Sequence, residues 1–264
     1  MKLKTNKFLY LALGLPLLVL SCSKGSEPAP EEKPGTGEPA KEVTTGIYTV
    51  VNISLDTATN GNSTAKTFYY SLETNRIVPE AERQTANWDI AFLGTYNSSL
   101  SANNGVAQYS VGYGGPGKGG LYLVQNEAID AQYYDKANKK IKSIPTRNLF
   151  DQAFNAVTTA VSDDQYLTNG FVQLDHFQGS EDGWAWYDFY GELFPDAPGD
   201  TKQHIAYALP RPILVRTAKG NYAKVVIYSL YKDAPENPTR SNKPGFISFK
   251  FAIQKNGSKD LNIK

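Results

Sequence analysis

Two histidines, His176 and His204, are the only side chains in this 264-residue chain able to present a neutral imidazole, and Cys22 is its only cysteine. Imidazole nitrogen binds borderline metals and changes protonation near neutral pH, so ligand chemistry has to start at these positions. His176 alternates with Leu174 and Val172 as a strand residue would. His204 follows Thr201-Lys202-Gln203, a loop, and precedes the strand-like Ile205-Ala206-Tyr207. Taken singly, each fits a solvated or structural histidine as well as a ligand. Carboxylates gather at Asp175, Glu181, Asp182, Asp188, Glu192, Asp196 and Asp200. A close pair of them would be the minimal apparatus of a glycosidase, but acidic residues in Gly- and Pro-rich loops are more commonly just solvated.

Other chemistry is weaker still. Gly112-Tyr113-Gly114-Gly115-Pro116-Gly117-Lys118-Gly119 falls one residue short of a phosphate-cradling loop, with Gly119 where Ser or Thr must hold magnesium. It reads instead as a flexible turn between two strands. No Gly-x-Ser-x-Gly elbow occurs and neither histidine lies in a catalytic context, so no enzyme is expected. With Cys22 used elsewhere, a zinc site would have to lean on carboxylates, and none is expected. The 27 basic and 26 acidic residues give a formal net charge of +1, which leaves no electrostatic footprint for nucleic acid.

The elements that must position these residues come in three parts. In residues 1–21, Lys2, Lys4 and Lys7 precede an apolar run from Phe8 to Leu20 that ends on Ser21-Cys22. That is the layout of a lipoprotein signal, which leaves a lipidated Cys22 as the new N-terminus; the run is short for a membrane span. A thiol that carries lipid forms no disulfide, so burial alone must hold the domain. Residues 22–43 are otherwise Pro, Gly, Glu and Lys-rich and read as a disordered tether.

Residues 44–264 form the third part, one β-rich domain. Short runs of Tyr, Val, Ile, Phe and Trp are broken by Gly, Asn, Pro and Asp clusters. Strands are expected over 47–55, 67–72, 88–93, 106–111, 121–124, 171–176, 184–189, 213–217, 222–231 and 245–253, with Lys219-Gly220-Asn221 as a hairpin turn. Phe150, Phe154 and Val157 have helical spacing, so one or two short helices are expected within 127–161.

As a set, four segments resemble the HmuY family, the haem-binding lipoproteins of Bacteroidota. They are Asn87-Trp88-Asp89-Ile90-Ala91-Phe92, the glycine-rich stretch leading into Leu121-Tyr122, Gly183-Trp184, and the block from Arg211-Pro212-Ile213-Leu214-Val215-Arg216 through Lys219-Gly220-Asn221-Tyr222-Ala223-Lys224. The resemblance implies an all-β, mainly antiparallel, HmuY-like fold with a cleft at one end, an outer-membrane lipoprotein facing the periplasm or the cell surface, and haem acquisition beside a transporter. The candidate partners are thus the membrane, through the anchor, and a TonB-dependent outer-membrane transporter.

In the best-known members two histidines bind the haem iron from opposite sides. His204 lies in the loop where the family's second histidine lies, although residues 193–200 are an insertion here. His176 stands closer to Gly183-Trp184 than the family's first histidine does, and the only methionine, Met1, is lost with the signal. On this resemblance His204 and His176 are the axial-ligand candidates, Lys202 and Arg211 could pair with propionates, and Trp186 and Tyr187 could pack on the porphyrin. Trp184 reads as core. The alternative is a surface lipoprotein of the same fold that binds glycan, peptide or an outer-membrane protein.

Overall fold

A computed structural model describes residues 41–55, 65–94, 97–168, 171–176 and 183–264, with 171–176 as backbone only. The signal segment, Cys22, Glu181 and Asp182 lie outside these residues. The chain is mainly antiparallel β-sheet with two short helices, as its strand-and-turn texture requires.

Five strands form one sheet, in the order β1 (Gly46–Ser54), β14 (Pro244–Gln254), β13 (Tyr222–Tyr231), β12 (Ile213–Arg216) and β6 (Gly120–Leu123). Seven form a second, ordered β11 (Ile205–Ala208), β10 (Gly183–Asp188), β9 (Phe171–His176), β5 (Ser99–Ala102), β4 (Ile90–Leu93), β2 (Phe68–Ser71) and β3 (Arg76–Val78). A small ribbon pairs β7 (Tyr134–Asp135) with β8 (Lys140–Ile141). Among the paired strands only β9 and β10 run parallel. The sheets meet through aromatic residues: the Phe249 ring lies 5.2 Å from Tyr70 and 6.3 Å from Phe92. The β12–β13 hairpin turns at Gly220, whose φ of +91° is the left-handed region that glycine enters without steric cost.

The helices are α1 (Glu127–Tyr133), capped by the Asn126 carboxamide, and α2 (Arg147–Ala156). Phe150 and Phe154 fall on the buried face of α2, as their spacing predicts. This helix covers the side of β13 and β14 that carries Lys224 and Lys250. Lys224 is buried, donates to the Val157 carbonyl at 2.6 Å and lies over the Phe154 ring; burial, with Lys250 nearby, pulls its pKa down to about 8. Lys250 sits over the same ring and pairs with Asp151. Two stems thus extend the apolar core while their charged ends find partners.

A buried polar cluster clips the sheets together. Asp89, at the entrance to β4, accepts from Leu72 N at 2.7 Å, Glu73 N at 3.1 Å and the Ser71 hydroxyl at 3.4 Å, all from the end of β2. Its other oxygen accepts from Ala218 N at 3.0 Å, in the β12–β13 hairpin. Glu73, also buried, accepts from the Thr217 hydroxyl at 2.7 Å and the Asn221 amide at 3.0 Å, and pairs with Lys255. Burial, reinforced by the Glu73 carboxylate, pushes Asp89 up to about 6, against the pull of its backbone donors. At neutral pH it remains a carboxylate.

Residues 106–111 are not a strand but part of a loop running from Asn103 to Gly119. Asn104 Oδ1 takes the Val106 and Ala107 amides, and the Ser110 hydroxyl donates to Ala102 O while accepting the Asn104 and Gly112 amides. Side-chain acceptors have replaced a sheet partner. The loop is closely packed rather than a loose turn: a Cβ on Gly105 would come within 1.6 Å of Gly115 O, and one on Gly117 within 2.3 Å of Asn103 Oδ1.

Candidate functional site

Strands β9, β10 and β11 end together in a corner lined by aromatic residues. The register sets Tyr187 of β10 beside Ala206 of β11 on one side and His176 of β9 on the other. Just before β11, His204 is exposed and holds φ at +57°, a left-handed conformation rare for a residue with a Cβ. Three contacts fix it there. Its amide donates to Phe189 O at 3.3 Å, its ring packs edge-on against Phe189 at 4.3 Å, and its Nδ1 shares a hydrogen bond of 3.0 Å with the Tyr187 hydroxyl. Among the described residues its Nε2 makes no hydrogen bond. The surrounding contacts thus hold both the backbone and the ring of His204 in one place.

Tyr187 and Phe189, two residues apart, stand on one side of the chain, and Tyr190 packs edge-on against Phe189 at 4.7 Å. Trp186, on the opposite side, meets Tyr134 edge-on at 6.4 Å. Two cavities share Tyr187 in their walls. One, of about 520 Å³, is lined by Trp186, Tyr187, Phe189, Tyr190 and the turn between β7 and β8. The other, of about 160 Å³, is lined by His204, Tyr187, Ile205, Tyr231, Arg240 and Pro244, among others.

The residues singled out in the sequence therefore divide. His204, Tyr187 and, by register, His176 come to one corner, and Trp186 lines its larger cavity; the His176 side chain lies outside the description. The two cations are held within the protein. Lys202 donates to Pro238 O at 2.9 Å, bonds to Asn237 and sits over the Phe194 ring at 4.6 Å, and burial lowers its pKa. Arg211 is buried against Asp130 at 3.3 Å, Gly183 O at 2.9 Å and the Tyr134 ring, at the wall of a separate cavity of about 890 Å³. Trp184 is core, its indole donating to Ser98 O at 2.8 Å.

Among the carboxylates, buried Asp188 caps a turn by accepting Glu192 N at 2.9 Å and Leu193 N at 3.2 Å. Asp200 pairs with Arg240. Among the described residues no three His, Cys, Asp or Glu side chains cluster as metal ligands. Two participants went unseen in the sequence. Phe189 carried a signal, its two-residue spacing from Tyr187; Arg240, in a loop without periodicity, carried none.

Fold and site together define a mainly antiparallel β protein with an aromatic corner around an exposed histidine. The family model described as HmuY protein matches residues 63–251, and the chain belongs to the HmuY family. Among solved structures it is similar to a HmuY-like heme binding protein of Bacteroides vulgatus, at 13% identity over 79% of this chain and 92% of that one, with a TM-score of 0.35. It is also similar to a lipoprotein of Bacteroides fragilis (17% identity, 79% and 94% covered, TM-score 0.33). A third is the apo form of the HmuY analog of Tannerella forsythia (13% identity, 83% and 100% covered, TM-score 0.33). A search of curated proteins gives no match.

Proposed function

We propose that this chain is a lipid-anchored, non-catalytic outer-membrane protein that captures haem or a related porphyrin for uptake, handing it to a TonB-dependent transporter, with His204 as an axial ligand of the iron. The observation that carries the reading is the state of the His204 ring. Its Nδ1 is tied to Tyr187 while, among the described residues, Nε2 has no hydrogen-bond partner, and the residue is exposed. When Nδ1–H donates to the Tyr187 oxygen, Nε2 keeps its lone pair, and the Tyr187 hydroxyl fixes both tautomer and orientation.

The residues fit such a ligand in three further respects. Tyr187, Phe189 and Tyr190 supply flat apolar surface at the same corner. The 520 Å³ cavity beside them is within the range of small-molecule sites. His176 is carried to Tyr187 by the β9–β10 register, which makes it the candidate for a second axial nitrogen. Bound haem would supply an iron centre that accepts axial nitrogen donors. The protein's part is to position the imidazole and to enclose the ring.

A haemin titration followed by visible absorption tests this, with His204→Ala and His176→Ala in parallel. A saturable one-to-one Soret shift that His204→Ala abolishes is the expected result. A spectrum indifferent to both substitutions overturns histidine-ligated haem binding.

A further inference from the structure

We infer that the smaller cavity is a carboxylate pocket, in which Arg240 anchors an acidic arm of the ligand whose bulk lies at the aromatic corner. The proposal rests on the porphyrin reading for the identity of that bulk, but the pocket's preference for an acidic arm follows from its own walls. His204 and Tyr187 lie in one part of the lining, and Ile205, Leu230 and Pro244 make it largely apolar. Among the described residues Arg240 contributes the only full formal charge in that lining, and no carboxylate contributes to it. At about 160 Å³ the cavity takes a short alkyl chain ending in a charged group, not a macrocycle.

Arg240 is held but not used up. Its amide donates to Thr201 O at 3.0 Å, fixing the backbone, and Nη1 donates to Asp200 at 2.6 Å. Among the described residues Nε and Nη2 have no partner, so donors of a planar fork suited to a carboxylate remain available. Asp200 is mostly exposed, so its attraction for Arg240 is screened by water and does not prevent a second carboxylate from binding. Lys202 and Arg211, the two cations singled out in the sequence, are already committed to the Pro238 carbonyl and to Asp130. A largely apolar slot with one cation and one imidazole in its walls suits a ligand with an apolar body and a terminal anion.

The test uses the full chain and two pairs of probes: haemin against haemin dimethyl ester, and pyrenebutyrate against pyrenebutanol, the second pair free of iron. Because hydrogen bonds to charged groups are worth more than neutral ones, the protein should favour the acid in each pair by roughly tenfold. Arg240→Gln should erase that preference, weakening the acids and leaving the ester and alcohol unchanged, while Asp200→Asn should tighten the acids. A thermal melt of Arg240→Gln confirms that the Thr201 contact, made by the backbone, survives.

An acid preference that persists undiminished in Arg240→Gln overturns the proposal, as does equal binding of acid and neutral probe by the unaltered chain. Loss of the Soret response with the pyrenebutyrate preference intact would overturn the haem reading alone. Haem binding sensitive to His204 but not to Arg240 would overturn the carboxylate pocket alone.

Discussion

Asp89 and His204 each sit at the margin of the seven-stranded sheet and each hydrogen-bonds across to another element, but their surroundings could hardly differ more. Around Asp89 both carboxylate oxygens are met, one from the end of β2 and the other from the β12–β13 hairpin, and the side chain is fully buried. Around His204 one nitrogen is met and, among the described residues, the other is left open. A closed polar cluster specifies structure, because any lost partner strands a buried group. A half-satisfied, exposed residue in a strained backbone has no comparable structural return, and that asymmetry is the ground for proposing a ligand at this corner.

The comparison can be broken at several points. Asp89→Ala should cost the most, about 3–5 kcal/mol of stability by denaturant titration, since it leaves Glu73 and Lys255 near several unanswered amides. A loss under about 1 kcal/mol would mean the cluster is not the clip described here.

Acidity should separate the regions next. Because the folded-state pKa of Asp89 is raised, the folded chain binds more protons than the unfolded chain between about pH 4 and 6. This group's contribution therefore favours folding below about pH 4 and is lost as pH rises through 6. Relative to Asp89→Asn, the native protein should gain roughly 2 kcal/mol on going from pH 7 to pH 4. A stability difference flat in pH would contradict it.

Gly105→Ala forces a Cβ into the Gly115 carbonyl, which should destabilise by about 1–3 kcal/mol in a thermal melt, with the haemin response of the folded protein unchanged. The smallest effect belongs to His204→Ala. It should shift stability by no more than about 0.5 kcal/mol, because the residue is exposed and strained, yet abolish the Soret response. A large loss of stability there would make His204 a structural residue like Asp89.

Much of the sheet framework was legible because its strands are long and apolar: 171–176 and 222–231 coincide with β9 and β13, and Lys219-Gly220-Asn221 does turn the hairpin. Ser99–Ala102 escaped notice. It is a central strand whose Ser101 is wholly buried, and a small hydroxyl in a packed sheet leaves no hydrophobic trace in sequence. The segment 106–111 misled for the opposite reason: its apolar residues alternate, but Asn104 and Ser110 offer its amides closer partners than any strand. At the site, the two histidines and Tyr187 could be named from residue type and resemblance alone. That Lys202 and Arg211 are held inside the protein could not, since their partners Asn237, Pro238 and Asp130 are distant in sequence.

The Asp89 cluster also has a consequence for how the chain comes to be folded. Its hydrogen bonds join residues 129, 144 and 148 positions apart, and the Glu73–Lys255 pair spans 182. Contacts of such separation are late and slow, since loop closure must precede them. Asp89 and Glu73 must wait as solvated carboxylates until the C-terminal strands exist, so a chain still being synthesised has no means of closing this cluster. The clip between the sheets is complete only once residue 255 has been made.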